Sequence, residues 1–200
     1  MNPQSSPTPG SEARGPAAAQ APTTAGQDEA PPIVLAPPTD ARLPAALVSS
    51  ASGADPLTLV VGVHLVLVND DAVLLGLRCN TGYANGNWHL PAGHMKKGEP
   101  VTRSMTREAE EELGIRIAED ALTLVHTLHH LDADDGRSRL QLFFRPTRYD
   151  GQVCNAEPHK CEALRWWPLD GLPSNTVPYT VHALGEIARG STLSTVGWPA

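Results

Sequence analysis

Three glutamates, Glu108, Glu111 and Glu112, stand at i, i+3 and i+4 in the stretch PVTRSMTREAEEELG, residues 100–114. An α-helix turns about 100° per residue. With Glu108 at zero, Glu111 falls near about 300° and Glu112 near about 40°, so the three carboxylates share an arc about 100° wide. Glu110 falls near about 200°, on the far side, as ordinary surface charge. Oxygen donors at this spacing suit a hard cation such as Mg²⁺ or Mn²⁺ rather than zinc. Like charges on adjacent turns destabilise an isolated helix. Either a cation offsets them, or Arg103, Arg107 and solvent do; the helix alone leaves both open. In the preceding loop Gly93 presents a carbonyl oxygen that no side chain of its own obstructs.

The carboxylates need a rigid mount. Residues 100–113 form the clearest helix in the chain, with Pro100 suited to the first turn and Gly114 where a C-terminal cap belongs. Met105, Ala109 and Leu113 fall between about 60° and 140° on the same wheel, an apolar stripe that packs on a sheet. Residues 57–68, rich in Val and Leu, read as a buried strand, Asn69-Asp70-Asp71 as a turn, and residues 72–78 as the returning strand of a hairpin. Residues 80–87 form a Gly/Asn loop that leads into a short strand at Trp88. Residues 122–131 and 140–149 form a second hairpin around the acidic loop 132–137, residues 164–169 a short strand, and residues 179–189 a closing helix. This order predicts an α+β or α/β/α sandwich, a mixed sheet between helices.

Residues 1–56 differ in texture from the rest. They hold 11 of the 19 prolines, with repeated Ala, Ser, Thr and Gly. Such a segment buries too little surface to offset its ordering entropy. The expectation is a disordered tail before a domain at 57–195, the alternative being an early strand through Ile33 and Leu35. No secretory signal is legible in the tail, and no stretch approaches the roughly 18 apolar residues of a membrane span. Three cysteines at irregular positions argue against a disulfide framework and for a reducing cytoplasm. A net charge of −7 leaves no electrostatic footprint for a nucleic-acid polymer. An acidic protein that handles phosphates needs metal ions to offset the repulsion.

Residues 93–115, GHMKKGEPVTRSMTREAEEELGI, resemble the box of the Nudix hydrolases, the MutT-like family. Its pattern is Gly, five residues, Glu, seven residues, then Arg-Glu-aliphatic-any-Glu-Glu-any-Gly-aliphatic. Gly93, Glu99, Arg107, Glu108, Glu111, Glu112 and Gly114 fill the fixed positions, with Ala109 and Ile115 at the aliphatic ones. If each fixed residue were as common as glycine, about 7%, a chance match at one start is on the order of one in 10⁸. The resemblance implies a Nudix fold over about residues 57–190 and a Mg²⁺- or Mn²⁺-dependent hydrolase that cleaves a diphosphate linkage. It implies Glu111 and Glu112 as metal ligands, joined by Glu108 and the Gly93 carbonyl, and Glu99 paired with Arg107. Glu108 is one candidate for the base that deprotonates water.

Outside the box the carry-over is looser. Members that clean nucleoside triphosphate pools place a glutamate soon after a strand where this chain has Gln152; Glu157 is the substitute, with Asp132, Asp134 and Asp135 behind it. Lys160 and His159 are candidates for phosphate oxygens, and Trp88, Trp166 and Trp167 for stacking on a base. Asn175 resembles an asparagine that reads the purine edge in those members, and its amide both donates and accepts. A turn asparagine capping the last helix is the plainer reading. Cys79, Cys154, His159 and Cys161 lack the spacing of a zinc site. Markers of the ADP-ribose, dinucleoside polyphosphate and NADH members are missing, so a nucleoside triphosphate or its oxidised form leads among small-molecule nucleotides. A homodimer is left open. Two rival classes are a non-catalytic nucleotide sensor, which would have lost box glutamates, and a diphosphate isomerase, for which Cys79 would be the cysteine.

Overall fold

The computed structural model describes residues 58–132 and 136–198. The tail, with its Ile33–Leu35 alternative, and the loop aspartates Asp134 and Asp135 lie outside the described residues.

The chain order is β1 (Val60–Leu65), β2 (Val68–Asn69), β3 (Ala72–Arg78), β4 (Trp88–His89), β5 (Ala92–His94), α1 (Val101–Leu113), a 3-10 turn at Glu119–Ala121, β6 (Leu122–Leu131), β7 (Ser138–Pro146), β8 (Cys161–Pro168), α2 (Pro178–Ala188) and β9 (Leu193–Val196). A five-stranded sheet runs β5-β1-β7-β6-β9. It is mixed: β1 lies parallel to β7 and β6 parallel to β9, whereas β5–β1 and β7–β6 are antiparallel. A second, antiparallel sheet has β3 between β8 and the short strands β2 and β4. The mixed sheet expected from the sequence is the five-stranded one, and a second, antiparallel sheet accompanies it.

The alternation along 60–68 explains the split. Leu65 and Leu67 belong to one core with Met105, Ala109 and Leu113 of α1. Val66 packs into the other, with Phe143 of β7 and Ala183 and Leu184 of α2. The backbone stays extended while its partner changes: the Val66 N–H donates to Phe144 O, and the Leu74 N–H donates to Leu67 O. The predicted first hairpin survives only in the β2–β3 pair, because β1 hydrogen-bonds β5 and β7 instead. Residues alternating along β7 confirm two helical layers: Leu142 and Phe144 lie in the α1 core, Phe143 in the α2 core. The apolar stripe of α1 is buried as its spacing required, with Met105 and Ala109 at 0% exposure and Leu113 at 1%.

The closing helix does not close the domain. After α2 the chain returns as β9 beside β6, where Ser194 Oγ lies 2.9 Å from His126 Nε2 and 3.0 Å from His182 Nε2. Four residues of modest β character gave no periodic signal, so polar side chains from two other elements complete the strand's seat.

Candidate active site

Arg107 organises the junction between loop and helix. Its Nη2 and Nε donate to the two oxygens of Glu99 at 2.8 and 3.2 Å. Nη1 donates to Glu108 Oε1 at 2.6 Å and to Glu111 Oε2 at 3.2 Å, and Nη2 also reaches the His94 carbonyl. Only a planar guanidinium presents donors in so many directions at once. Arg107 pulls the Glu99 carboxyl down to about 2, with help from the Lys96 N–H, and is itself pushed up by Glu99.

Glu108 is 9% exposed and packs against Gly93. A Cβ on Gly93 would stand 1.9 Å from the Glu108 carboxyl carbon, so any side chain there displaces the carboxylate. Glu112 Oε2 accepts the Ala92 N–H at 2.9 Å. Burial pushes the Glu112 carboxyl up to about 8; the Ala92 N–H opposes this, and Glu108 and Glu157 reinforce it.

A cavity of about 620 Å³ opens over these groups. Glu108, Glu112 and Glu157 line one end, with Lys160. The Lys160 ammonium donates to Glu157 Oε1 at 2.8 Å. Glu157 is thus in electrostatic reach of the helix carboxylates, whereas Asp132 pairs with Arg139 elsewhere in the cavity wall. Glu111 takes a different position. It is exposed, held by Arg107 with Lys96 3.8 Å away, and does not line the cavity. Glu110 is exposed, as its wheel position required.

Among the described residues no three His, Cys, Asp or Glu side chains stand as a ready-made metal cluster. The chemistry of the donors nevertheless fits a hard divalent cation. They are all oxygens, and the Glu112 carboxyl, pushed up first by burial and then by Glu108 and Glu157 nearby, is a group whose charged form a cation would stabilise.

The cavity also has an aromatic part, lined by His64, His89 and Tyr179, with Arg78 and the Asp132–Arg139 pair in its wall. Burial is the first cause that pulls the His64 imidazole down to about 4, and it holds His89 well below its usual range too. The His89 Nδ1–H donates to the Leu90 carbonyl at 2.6 Å, so its Nε2 accepts the Tyr179 hydroxyl at 2.7 Å. His64 stacks on Phe143 with centroids 4.6 Å apart.

Arg78, at the end of β3, was not singled out by the sequence, where it is one arginine before a polar loop. It lines the cavity, donates Nε to the Tyr83 carbonyl and Nη2 to Thr81 Oγ1, and makes no ion pair among the described residues. Its charge is felt by both Glu112 and the two histidines.

Several candidates lie elsewhere. Trp88 is 6% exposed, edge-on to Trp167 in the core, and does not line the cavity. The Asn175 side-chain amide donates to the Gly86 carbonyl at 2.7 Å, while its backbone carbonyl accepts the Trp88 N–H. It secures the Gly/Asn loop instead of lining the cavity. Trp166 is exposed, and His159 contributes a backbone carbonyl to Cys79 and Asn80. Cys79, Cys154 and Cys161 are free thiols.

The family profile described as the NUDIX domain matches residues 58–184. The uncharacterised Nudix hydrolase YvcI of Bacillus subtilis is 34% identical over 133 residues, 65% of this chain and 80% of that one. The human 8-oxo-dGDP phosphatase NUDT18 is 28% identical over 105 residues, 52% of this chain but only 30% of that protein's length. Among solved structures, the MutT NUDIX hydrolase of Burkholderia pseudomallei aligns with a TM-score of 0.59 and 34% identity, covering 64% of this chain and 97% of that one.

Proposed function

This chain belongs to the Nudix hydrolase family, and from that premise we propose that it is a pyrophosphohydrolase acting with Mg²⁺ or Mn²⁺ on the diphosphate linkage of a nucleotide. A nucleoside triphosphate or its oxidised form is the leading substrate. The observation that carries this reading is the cavity itself, with Glu108, Glu112, Glu157 and Lys160 grouped in one part of its lining and the rings of His64, His89 and Tyr179 in another. A diphosphate fits the first and a base the second. The name of the human relative, an 8-oxo-dGDP phosphatase, supports a nucleotide with an altered base.

A divalent cation held by Glu108, Glu111, Glu112 and the Gly93 carbonyl would neutralise the diphosphate charge and acidify the attacking water. Arg107 fixes Glu108 and Glu111 in place against their mutual repulsion. Water adds to one phosphorus, the bridging P–O bond breaks, and the two phosphate products separate. The water's proton passes to a cavity carboxylate, Glu108 or Glu157. Lys160 and Arg78 offset phosphate charge from the protein side, a need set by the net charge of −7. The sensor reading is disfavoured by the intact set of box glutamates, and the isomerase reading by Cys79, which does not line the cavity.

The test is a nucleotide panel scored for phosphate, pyrophosphate and nucleoside monophosphate release, with and without a chelator. Turnover of at least one nucleotide should vanish on chelation and return with Mg²⁺ or Mn²⁺, and poorly with the larger Ca²⁺. Turnover indifferent to the chelator would remove metal assistance from the mechanism.

A further inference from the structure

Gln141 and Gly62 are register partners on β7 and β1. The Gln141 carboxamide lies over Gly62 so closely that a Cβ there would stand 2.0 Å from its Oε1. That oxygen accepts the His64 Nε2–H at 2.9 Å. The pairing orients the amide, because its oxygen is taken and its nitrogen is left over. Gln141 is 5% exposed and lines the cavity, yet no group among the described residues accepts from its Nε2. The other His64 nitrogen, Nδ1, is the acceptor of this tautomer and is buried without a hydrogen-bond partner. An amide whose oxygen is already bonded offers its N–H as the donor to whatever enters the cavity.

The surroundings say what kind of acceptor belongs there. Tyr179 stands edge-on to both His64 and His89, with centroids 5.8 and 5.4 Å apart, so the walls are flat rings suited to a planar group. His64 and His89 stay neutral at this depth. Of the cations that line the cavity, Arg139 pairs with Asp132 while Arg78 is held by the Tyr83 carbonyl and Thr81 Oγ1. The groups that Gln141 itself touches, His64 and Gly62, are uncharged, so an acceptor beside it needs no charge of its own. A neutral ring carbonyl meets both conditions.

We propose that Gln141, oriented by His64 over Gly62, is a specificity-determining residue whose amide Nε2 donates to a carbonyl oxygen on the substrate's heterocycle. The site therefore takes nucleotides of oxo-bearing bases, such as guanine and uracil, in preference to adenine, which has no carbonyl. This rests on the nucleotide hydrolase reading above but is tested apart from it. A site built to hydrogen-bond one ligand group discriminates strongly against an analogue that lacks it, since its own polar atom is then left unpaired.

The experiment is calorimetric binding of GMP, UMP and AMP to the full chain, wild type and variants. Wild type should bind GMP and UMP at least about ten-fold more tightly than AMP. Gln141→Met, which keeps length and removes the donor, should bring the three within about two-fold of each other. Gln141→Glu, which replaces the donor with an acceptor, should weaken GMP and UMP by more than about ten-fold and AMP far less. Equal wild-type affinities, no measurable binding of any of the three, or a preference that persists in both variants would overturn the proposal. Wild-type binding decides it even where a variant does not fold. A clear GMP and UMP preference with no nucleotide turned over would sink the hydrolase reading and leave this one standing.

Discussion

Glu110, Glu111 and Glu112 are chemically identical and adjacent in sequence, yet they stand in solvent, on Arg107 and in the cavity. That difference predicts how they respond to neutralisation. Glu112→Gln should cut turnover by about 10²-fold or more, the scale on which transition-state charge stabilisation is lost. Glu110→Gln should be nearly silent, and steady-state kinetics on one hydrolysed nucleotide compares them directly. Metal-free stability should move in the opposite sense. The Glu112 carboxyl sits at about 8 in the fold against an ordinary 4.5, so the folded state favours its neutral form. Its contribution is fully present below 4.5 and lost as pH rises through about 8. In metal-free buffer Glu112→Gln should therefore raise Tm at pH 8.5 and change it little at pH 4.5. A fall in Tm at the higher pH would mean that burial beside Glu108 and Glu157 does not disfavour the Glu112 carboxylate.

α1 holds the site through its two ends. At its start the Glu99–Arg107 pair ties loop to helix, and at its finish Gly114 takes φ 66°, a left-handed cap whose N–H donates to the Glu110 carbonyl. A Cβ at Gly114 would also stand 2.9 Å from Cys154 Sγ. Gly114→Ala should destabilise the domain by about 1–2 kcal/mol, the cost of an L-residue in that conformation. Denaturant midpoints measure this. Turnover of the folded fraction should keep its metal requirement. A double variant with Cys154→Ala should recover part of the loss, and no recovery would assign the whole effect to backbone conformation.

At the scale of the whole domain, buried neutral imidazoles set an acid limit. His64 lies at about 4 in the fold against 6.5 in the unfolded chain, and burial lowers His89 in the same direction. Between those values the unfolded state binds more protons, so stability is present above 6.5 and drains away as pH falls towards 4. His64→Gln should flatten the fall of Tm across that window relative to wild type. An unchanged slope would show that His64 does not carry the effect. Glu99 acts lower, losing its contribution only as pH falls from 4.5 towards 2. The proline-rich composition of residues 1–56 leads us to propose that deletion of residues 1–54 leaves Tm and turnover nearly unchanged. A drop of many degrees would assign Ile33–Leu35 to the fold.

Much of this was legible in one dimension because it rests on local periodicity. A helical wheel needs only spacing, so it placed Met105, Ala109 and Leu113 in the core and Glu110 in solvent. The bounds of β3 and β6 followed from β-rich runs between turn residues. The Glu99–Arg107 pair was implied by the resemblance to the Nudix box, and both partners lie within one loop–helix unit. What depended on partners distant in sequence was not legible. The exchange of sheets after Leu65 depends on which strand offers its carbonyls, and the β9 seat depends on His126 and His182. Trp88 and Asn175 have side chains suited to a base, but packing against Trp167 and a bond to the Gly86 carbonyl place them outside the cavity. Arg78, His64 and Gln141 carry no local signature at all. They line one cavity only because β3, β1 and β7 converge there, and convergence of separate strands is a property of tertiary structure alone.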